Sequence, residues 1–314
     1  MILQNITVCN SIFSTSNLSS PTPAGGFQGS NFGYTSGGFG PPIVRESNVI
    51  DKFPFASDAN ATDVGDLTVA RFASAGQSST VSGYTSGGAQ PRASYNNIDK
   101  FPFASNANAT DVGVLTQARR CPAGQSSTVS GYTSGGWIPP SSNTIDKFPF
   151  ASDANATDVG DLTIAKRGPA GQSSTVSGYT SGGLNSNAID KFPFASDANA
   201  TNVGVLTQAR NETAGQSSTV SGYTSGGEIP APTYLNTIDK FPFATNANAT
   251  DVGDLTQARS GVAGQSSTVS GYSSGGYSIP YRNTIDKFSF ASDANATDVG
   301  DLTVDRGLSA GQQY

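Results

Sequence analysis

Residues 98–116 read IDKFPFASNANATDVGVLT and residues 123–136 read AGQSSTVSGYTSGG, and both strings recur along the chain. IDKF starts at Ile50, Ile98, Ile145, Ile189, Ile238 and Ile285. The block G-Y-[T/S]-S-G-G starts at Gly33, Gly83, Gly131, Gly178, Gly222 and Gly271. Six copies of each set the repeat number, and a period of about 47 residues suits a supersecondary unit that stacks on its neighbours.

One copy parses into four strands. Residues 98–103 are β-branched and aromatic, and short enough for a strand. Asn106-Ala107-Asn108-Ala109 reads as a turn whose Asn side chains cap their own backbone. Residues 112–116, 125–129 and 131–134 read as the remaining strands, the last two joined at a tight Ser-Gly turn. No stretch keeps a 3.6-residue apolar period, so helices are not expected. In the extended IDKFPF segment Ile and Phe fall on opposite faces, as suits a sheet covered on both sides. The proline at 54, 102, 149, 193 and 242 lacks a backbone donor and is expected at a sheet edge or bulge; Ser289 replaces it in the sixth copy.

Four strands per repeat, six times over, predict an all-β, six-bladed β-propeller of four-stranded antiparallel blades. The chain starts and stops out of phase with the repeat. A half-unit ends at Gly38, and Ala310-Gly311-Gln312-Gln313 copies the opening Ala75-Gly76-Gln77-Ser78. The C-terminal segment is therefore expected to pair with the N-terminal half-blade and close the ring, which removes exposed strand edges. The propeller spans residues 24–314 in this reading, and residues 1–23 form an arm or attachment segment.

The double glycine, the tyrosine three residues before it and the arginine further upstream (Arg71 to Tyr84) resemble kelch-type propeller repeats. The usual kelch tryptophan is replaced by Val64 and its equivalents. The wording IDKFPFASDANATDVGDLT…AGQSST…GYTSGG also resembles repeat proteins of marine cyanophages and related phages. That resemblance implies a virion or tail-associated structural protein, located on the particle.

Composition narrows the function. There is no histidine, which removes His-based triads and general bases and most transition-metal sites. A net charge of −6 argues against nucleic acid as the main partner. The two cysteines, Cys9 and Cys121, stand far apart and define neither a disulfide framework nor a zinc site. The N-terminus lacks the basic start and apolar run of a signal peptide, and no stretch is long enough for a membrane helix, so membrane insertion is not expected.

Asp58-Ala59-Asn60-Ala61-Thr62-Asp63-Val64-Gly65-Asp66 presents oxygen ligands at alternate positions, a pattern that hard cations use. A calcium reading would take Asp58, Asn60, Thr62 and Asp66 in the first copy. Its counterparts are Asp153, Asn155, Thr157 and Asp161 in the third copy, and Asp293, Asn295, Thr297 and Asp301 in the sixth. The competing reading is a capped turn without metal, favoured because Asn106, Val114, Val205 and Asn246 break the carboxylate pattern elsewhere. No cofactor is expected. The Asp-Lys pair of IDKF reads as solvated or cross-strand charges worth ~0–1 kcal/mol each. Arg71, Arg119, Arg210 and Arg259, with Lys166 in their place once, read as bridges between blades. The N-A-T tripeptides read as turn residues rather than glycosylation sites.

Differences among copies concentrate after the double glycine (39–49, 89–97, 137–144, 184–188, 228–237, 277–284) and in the linker after the arginine. In an antiparallel blade both connections fall on one side of the disc and the constant turns on the other. The varied side carries Phe39, Tyr95, Trp137, Tyr234, Tyr277 and Tyr281, candidates for recognition. Free drift of duplicated loops, with some aromatics packed on the rim, explains the variation equally well. A catalytic centre needs one asymmetric constellation, and near-identical blades argue against an enzyme. The leading expectation is a non-enzymatic phage structural or adhesion protein contacting another virion protein, a host-surface protein or a host glycan. The alternative is a multivalent glycan-binding lectin with one weak site per blade. Oligomeric state, a homo-oligomer included, is left open.

Overall fold

A computed structural model describes residues 28–41, 45–230 and 233–314; the expected N-terminal arm lies outside them. The described chain is all-β, with six four-stranded antiparallel sheets arranged as the blades of a propeller. Blade 3 shows the pattern: an inner strand Ala123–Ser126, a second strand Ser130–Ser134, a third Thr144–Pro149 and an outer strand Thr157–Asp161. Blade 1 is composite. The C-terminal strand Ala310–Gln313 is its inner strand and pairs with Phe32–Ser36, from Gly33↔Gln313 to Ser36↔Ala310. The predicted closure is therefore present.

Strand limits sit about two residues from the predicted ones in places. The outer strand of blade 2 is Thr110–Val114, and the inner strand of blade 3 stops at Ser126. The Ser127 hydroxyl takes hydrogen bonds from the amides of Val129 and Ser130, so the turn precedes the Ser-Gly pair. The proline expectation needs correction. Pro102 ends a central strand, opposite Ser82, and the bulge lies earlier, at Ile98/Asp99. A missing donor is tolerated there because pairing with the outer strand has already ended at Lys100↔Thr110.

Ile and Phe do face opposite neighbours. Tyr34, Ile50 and Leu67 of blade 1 pack with Phe101, Phe103 and Ala109 of blade 2, and the same cluster recurs at every junction. Tyr84 stacks on Phe150 at 4.9 Å between centroids, with Tyr272 on Phe55 at 4.7 Å completing the circle. Each large side chain removed from water contributes about 1.5–3 kcal/mol.

Nearer the axis the junctions are polar. Gln77 donates through Nε2 to the Tyr132 carbonyl and the Thr133 hydroxyl of the next blade, both at 3.0 Å. The inner strands approach backbone to backbone. A Cβ on Gly124 would lie 2.1 Å from the Gly76 carbonyl oxygen, so only glycine fits there.

The predicted solvated Asp-Lys pairs are also corrected. Asp99 is fully buried and meets Arg71 at 3.3 Å, while Thr68 donates to it through its amide and hydroxyl at 2.9 and 2.8 Å. The motif Leu-Thr-x-x-Arg, with Lys166 in place of arginine once, thus anchors each linker to the aspartate of the following blade. Arg119–Asp146, Lys166–Asp190, Arg210–Asp239 and Arg259–Asp286 repeat it, and Arg306–Asp51 at 3.0 Å carries it across the closure. Lysine and aspartate separate because neighbouring strand residues point to opposite faces. Lys100 is partly exposed and pairs with Asp153 of blade 3 at 2.9 Å.

Arg119→Ala leaves Asp146 buried without its cation and is expected to cost about 3–5 kcal/mol. Arg119→Lys, which copies blade 4, is expected to keep most of that stability. Denaturant unfolding measures both, and equal losses would show that the ion pair is not the tie. Removing residues 307–314 takes away the inner strand of blade 1 and is expected to lower the melting temperature and broaden unfolding relative to the parent chain, as calorimetry of both would measure.

Candidate functional site

Strand alternation puts the second-to-third loops and the interblade linkers on one side of the disc, as expected. Gly87 and Gly88, at φ 66° and 106°, turn the chain out of the second strand into its variable loop, a path that side chains rarely allow. The linkers then meet at the axis. Ala73, Cys121, Gly168, Glu212, Gly261 and Leu308 occupy equivalent positions, all with φ between 53° and 66°. Each donates its amide to the carbonyl of its counterpart in the preceding linker. Cys121 bonds to Ala73, Gly168 to Cys121, Glu212 to Gly168, Gly261 to Glu212, Leu308 to Gly261 and Ala73 to Leu308, at 2.6–2.9 Å. The six bonds form a closed crown. Left-handed backbone costs about 1–2 kcal/mol for residues other than glycine, and the crown bonds offset it.

One residue earlier, each linker pairs with a variable loop. Arg120 exchanges both amide bonds with Trp137, Phe72 with Ala89, Asn211 with Glu228, Ser260 with Tyr277 and Gly307 with Phe39. Arg167 accepts the Leu184 amide at 2.8 Å. Six nearly equivalent backbone frames therefore display six different pairs of side chains.

The side chains sort into sectors. Phe72 lies 5.1 Å from Phe39, Phe39 6.2 Å from Tyr281, Tyr281 4.7 Å from Tyr277 and Tyr277 5.7 Å from Tyr234, an unbroken aromatic run from blade 5 to the linker entering blade 2. Across the axis, the Arg120 guanidinium stands 4.2 Å and that of Arg167 5.7 Å from the Trp137 ring. Of the six predicted aromatics, the structure thus joins Phe39, Tyr234, Tyr277 and Tyr281, sets Trp137 in the opposite sector, and places Tyr95 apart, donating to Gln90 at 2.8 Å. Phe72, Arg120, Arg167, Glu212 and Glu228 were not predicted. Glu228 falls in the variable stretch after the double glycine and the other four in the linker after the arginine or lysine, but only the fold shows that linker and loop pair side by side.

Between the sectors lie Glu212, half-buried at the crown, and Glu228, whose Oε2 accepts from the Ser260 hydroxyl at 3.1 Å. Burial, with Glu228 adding repulsion and Arg167 opposing, pushes the Glu212 pKa up to about 7. Burial pushes the Cys121 thiol up to about 12, with Glu212 acting in the same direction and Arg167 and Arg120 opposing. A thiol held protonated is a poor nucleophile. Glu212 and Cys121 line an axial recess of about 60 Å³, and a second cavity of about 170 Å³ on this side is lined by Gly40, Arg45, Glu46, Val304 and Asp305. Both are smaller than the range of about 300–1,000 Å³ common for small-molecule sites.

On the other side, the turns considered for calcium reach to the preceding blade. Asp58 pairs with Lys287 at 3.0 Å, and the Asn60 Oδ1 accepts the Asp301 amide at 3.1 Å. Asp153 pairs with Lys100 and Asp293 with Lys240, while Asn155 and Asn295 accept the amides of Val114 and Asp254. Thr62, Thr157 and Thr297 open the outer strands that Asp66, Asp161 and Asp301 end. Among the described residues no group of three or more Asp, Glu or Cys is placed to hold a metal ion. The side also carries Val81, Val129, Val176, Val220 and Val269 at its turn tips, each 65–66% exposed. The chain enters the ring here, Gln28 bridging the Ser217 and Ser267 carbonyls at 3.1 Å.

The molecule is thus a six-bladed propeller with one side fixed by interblade contacts and one side varied over a shared backbone. No protein-family model matches the chain, and no curated protein is found to be similar to it.

A carboxyl whose pKa is higher folded than unfolded favours folding most while protonated. The stability linked to Glu212 is therefore full below its unfolded value near 4.5 and falls as pH rises through about 7. Glu212→Gln is expected to raise the melting temperature at pH 8 and leave it nearly unchanged at pH 4.5. An equal shift at both values would show that Glu212 ionisation is not coupled to folding.

Proposed function

We propose that this chain is a non-enzymatic adhesion or assembly propeller that binds its partner through the varied face. The observation that carries the reading is the concentration of side-chain variation on a backbone frame that recurs nearly unchanged around the ring. Such a frame presents residues without depending on their identity, as recognition loops on rigid scaffolds do. The aromatic run and the Arg–Trp sector supply residue types enriched at binding hot spots.

A structural role also fits the chemistry around Glu212 and Cys121. A protonated thiol beside a shallow recess, without histidine anywhere in the chain, lacks the base and positioning groups that nucleophilic catalysis requires. The likeness of the repeat wording to marine cyanophage proteins supports placing the chain on a virion. Its partner there is another virion protein or a host-surface molecule.

Trp137→Ala, Tyr277→Ala and Tyr281→Ala are each expected to weaken attachment or assembly by about 2 kcal/mol or more, as hot-spot truncations do. Their melting temperatures are expected to stay close to that of the parent chain. Retained binding by a triple substitution in a folded protein would remove this face from consideration.

A further inference from the structure

The surface charges separate by chemical type. Arg45, Arg92, Arg120, Arg167 and Arg282 all lie in the loops and linkers of the varied face. Every lysine except the buried Lys166 lies in an IDKF strand and faces the other half of the disc. Glu46, Glu212, Glu228 and Asp305 share the arginine side, and Asp66, Asp161, Asp254 and Asp301 end outer strands at its rim, while the carboxylates that pair with lysine, Asp58, Asp153, Asp197 and Asp293, lie on the other half. The unburied cations of the varied face are thus all guanidinium groups and those of the other half all ammonium groups.

Arginine and lysine are not interchangeable here. The guanidinium fork holds a carboxylate in two parallel hydrogen bonds and also stacks on aromatic rings. Arg120 and Arg167 do the second with Trp137, and the Nε of Arg167 is buried without a partner. The aromatic run stands on the far side of the crown. This arrangement has no six-fold repeat, since no other blade shares the pair Arg120–Trp137 or the pair Ser260–Tyr277.

We infer that the varied face binds one acidic polysaccharide chain per ring, its carboxylates on Arg120 and Arg167 and its sugar rings against Tyr277 and Tyr281. The inference rests on the varied face being the recognition surface. A glycan suits it better than an acidic peptide. The loop strands beside the linkers are already paired, the return strands Arg45–Glu46, Ala93–Ser94 and Thr233–Tyr234 offer an edge of only two residues each, and cavities of about 60 and 170 Å³ offer no groove for a helix. Flat rings beside hydroxyl-rich loops instead match the apolar faces and hydroxyls of sugars.

Trp137 is the only tryptophan in the chain, so its fluorescence reports this sector directly. The full chain is titrated with hexa-galacturonate, its neutral methyl ester and hexa-glutamate, by fluorescence and calorimetry, at low and high salt. The expected result is one galacturonate oligomer per chain with a change in Trp137 emission. Affinity is expected to fall at least tenfold for the ester, for hexa-glutamate, in high salt and in an Arg120→Gln/Arg167→Gln double variant. Lys191→Gln, on the other half of the disc, is expected to leave it within twofold. Six oligomers per chain would overturn the single site. Equal binding of the ester would overturn the acidic class, and equal binding of hexa-glutamate would overturn the glycan. No binding of any oligomer, while the Trp137, Tyr277 and Tyr281 substitutions still abolish attachment, would overturn this inference and leave the recognition face standing.

Discussion

A cation from each linker, buried against an aspartate of the next blade, is the constraint on which the rest of the molecule depends. Neither partner is exposed at most junctions, and burial lowers the pKa of Arg71, Arg119 and Arg259 against the pull of their aspartates. Such pairs gain little net energy over an apolar replacement, because desolvation cancels much of their attraction. Their value here lies in register. Six repeats with almost the same Tyr-Ile-Leu and Phe-Phe-Ala faces could stack with a slip of two residues and lose little apolar burial. A slip would strand a buried charge at every junction. Lys166 shows what the position demands: its three donors meet the Thr180 and Ala188 carbonyls and Asp190, whereas Arg71 leaves Nε and Nη1 without partners. One cation at the right depth matters more than the guanidinium.

The same junctions explain why one side of the disc stays constant. The Asn of each DANAT turn takes an amide from the preceding blade and the following Ala donates to it, as Asn108 and Ala109 do with Asp66. Changing the Asn breaks a blade-to-blade bond, whereas the Ala bond is made by backbone and its small side chain is held by burial at the junction. On the opposite side the crown and the linker–loop ladders are made by backbone alone. Alanine, cysteine, glycine, glutamate and leucine therefore succeed one another at a single structural position.

Much of this was legible in the sequence. Repeat count, strand number, the closure by residues 310–313 and the opposite facing of Ile and Phe all follow from periodicity and alternation, which are local properties. The bridging role of the arginines was legible from the recurrence of a cation, Lys166 once, at the same place in each copy. Their partner was not, since an Asp beside a Lys looks like a solvated pair until the strand faces are assigned; the closing Arg306 also went unnoticed for want of a complete seventh copy. The strand limits near Ser127 were misplaced because a serine hydroxyl, not a glycine, makes the turn. Phe72, Arg120 and Arg167 escaped for a different reason: linker and loop are distant in sequence, and only the ring of six blades brings them into one ladder.

Relaxed constraint alone would account for differing loops, since any residue compatible with the crown and its ladders is tolerated there. It does not account for their sorting. Drift has no means of joining Phe72, Phe39, Tyr281, Tyr277 and Tyr234 across blade boundaries into one run. Those residues come from different copies, so their adjacency is a property of the assembled ring and not of any repeat. A feature that exists only after closure is one that the duplication of a single repeat could not have supplied. The varied face is therefore better understood as a single surface assembled from six unlike parts than as six worn copies of one.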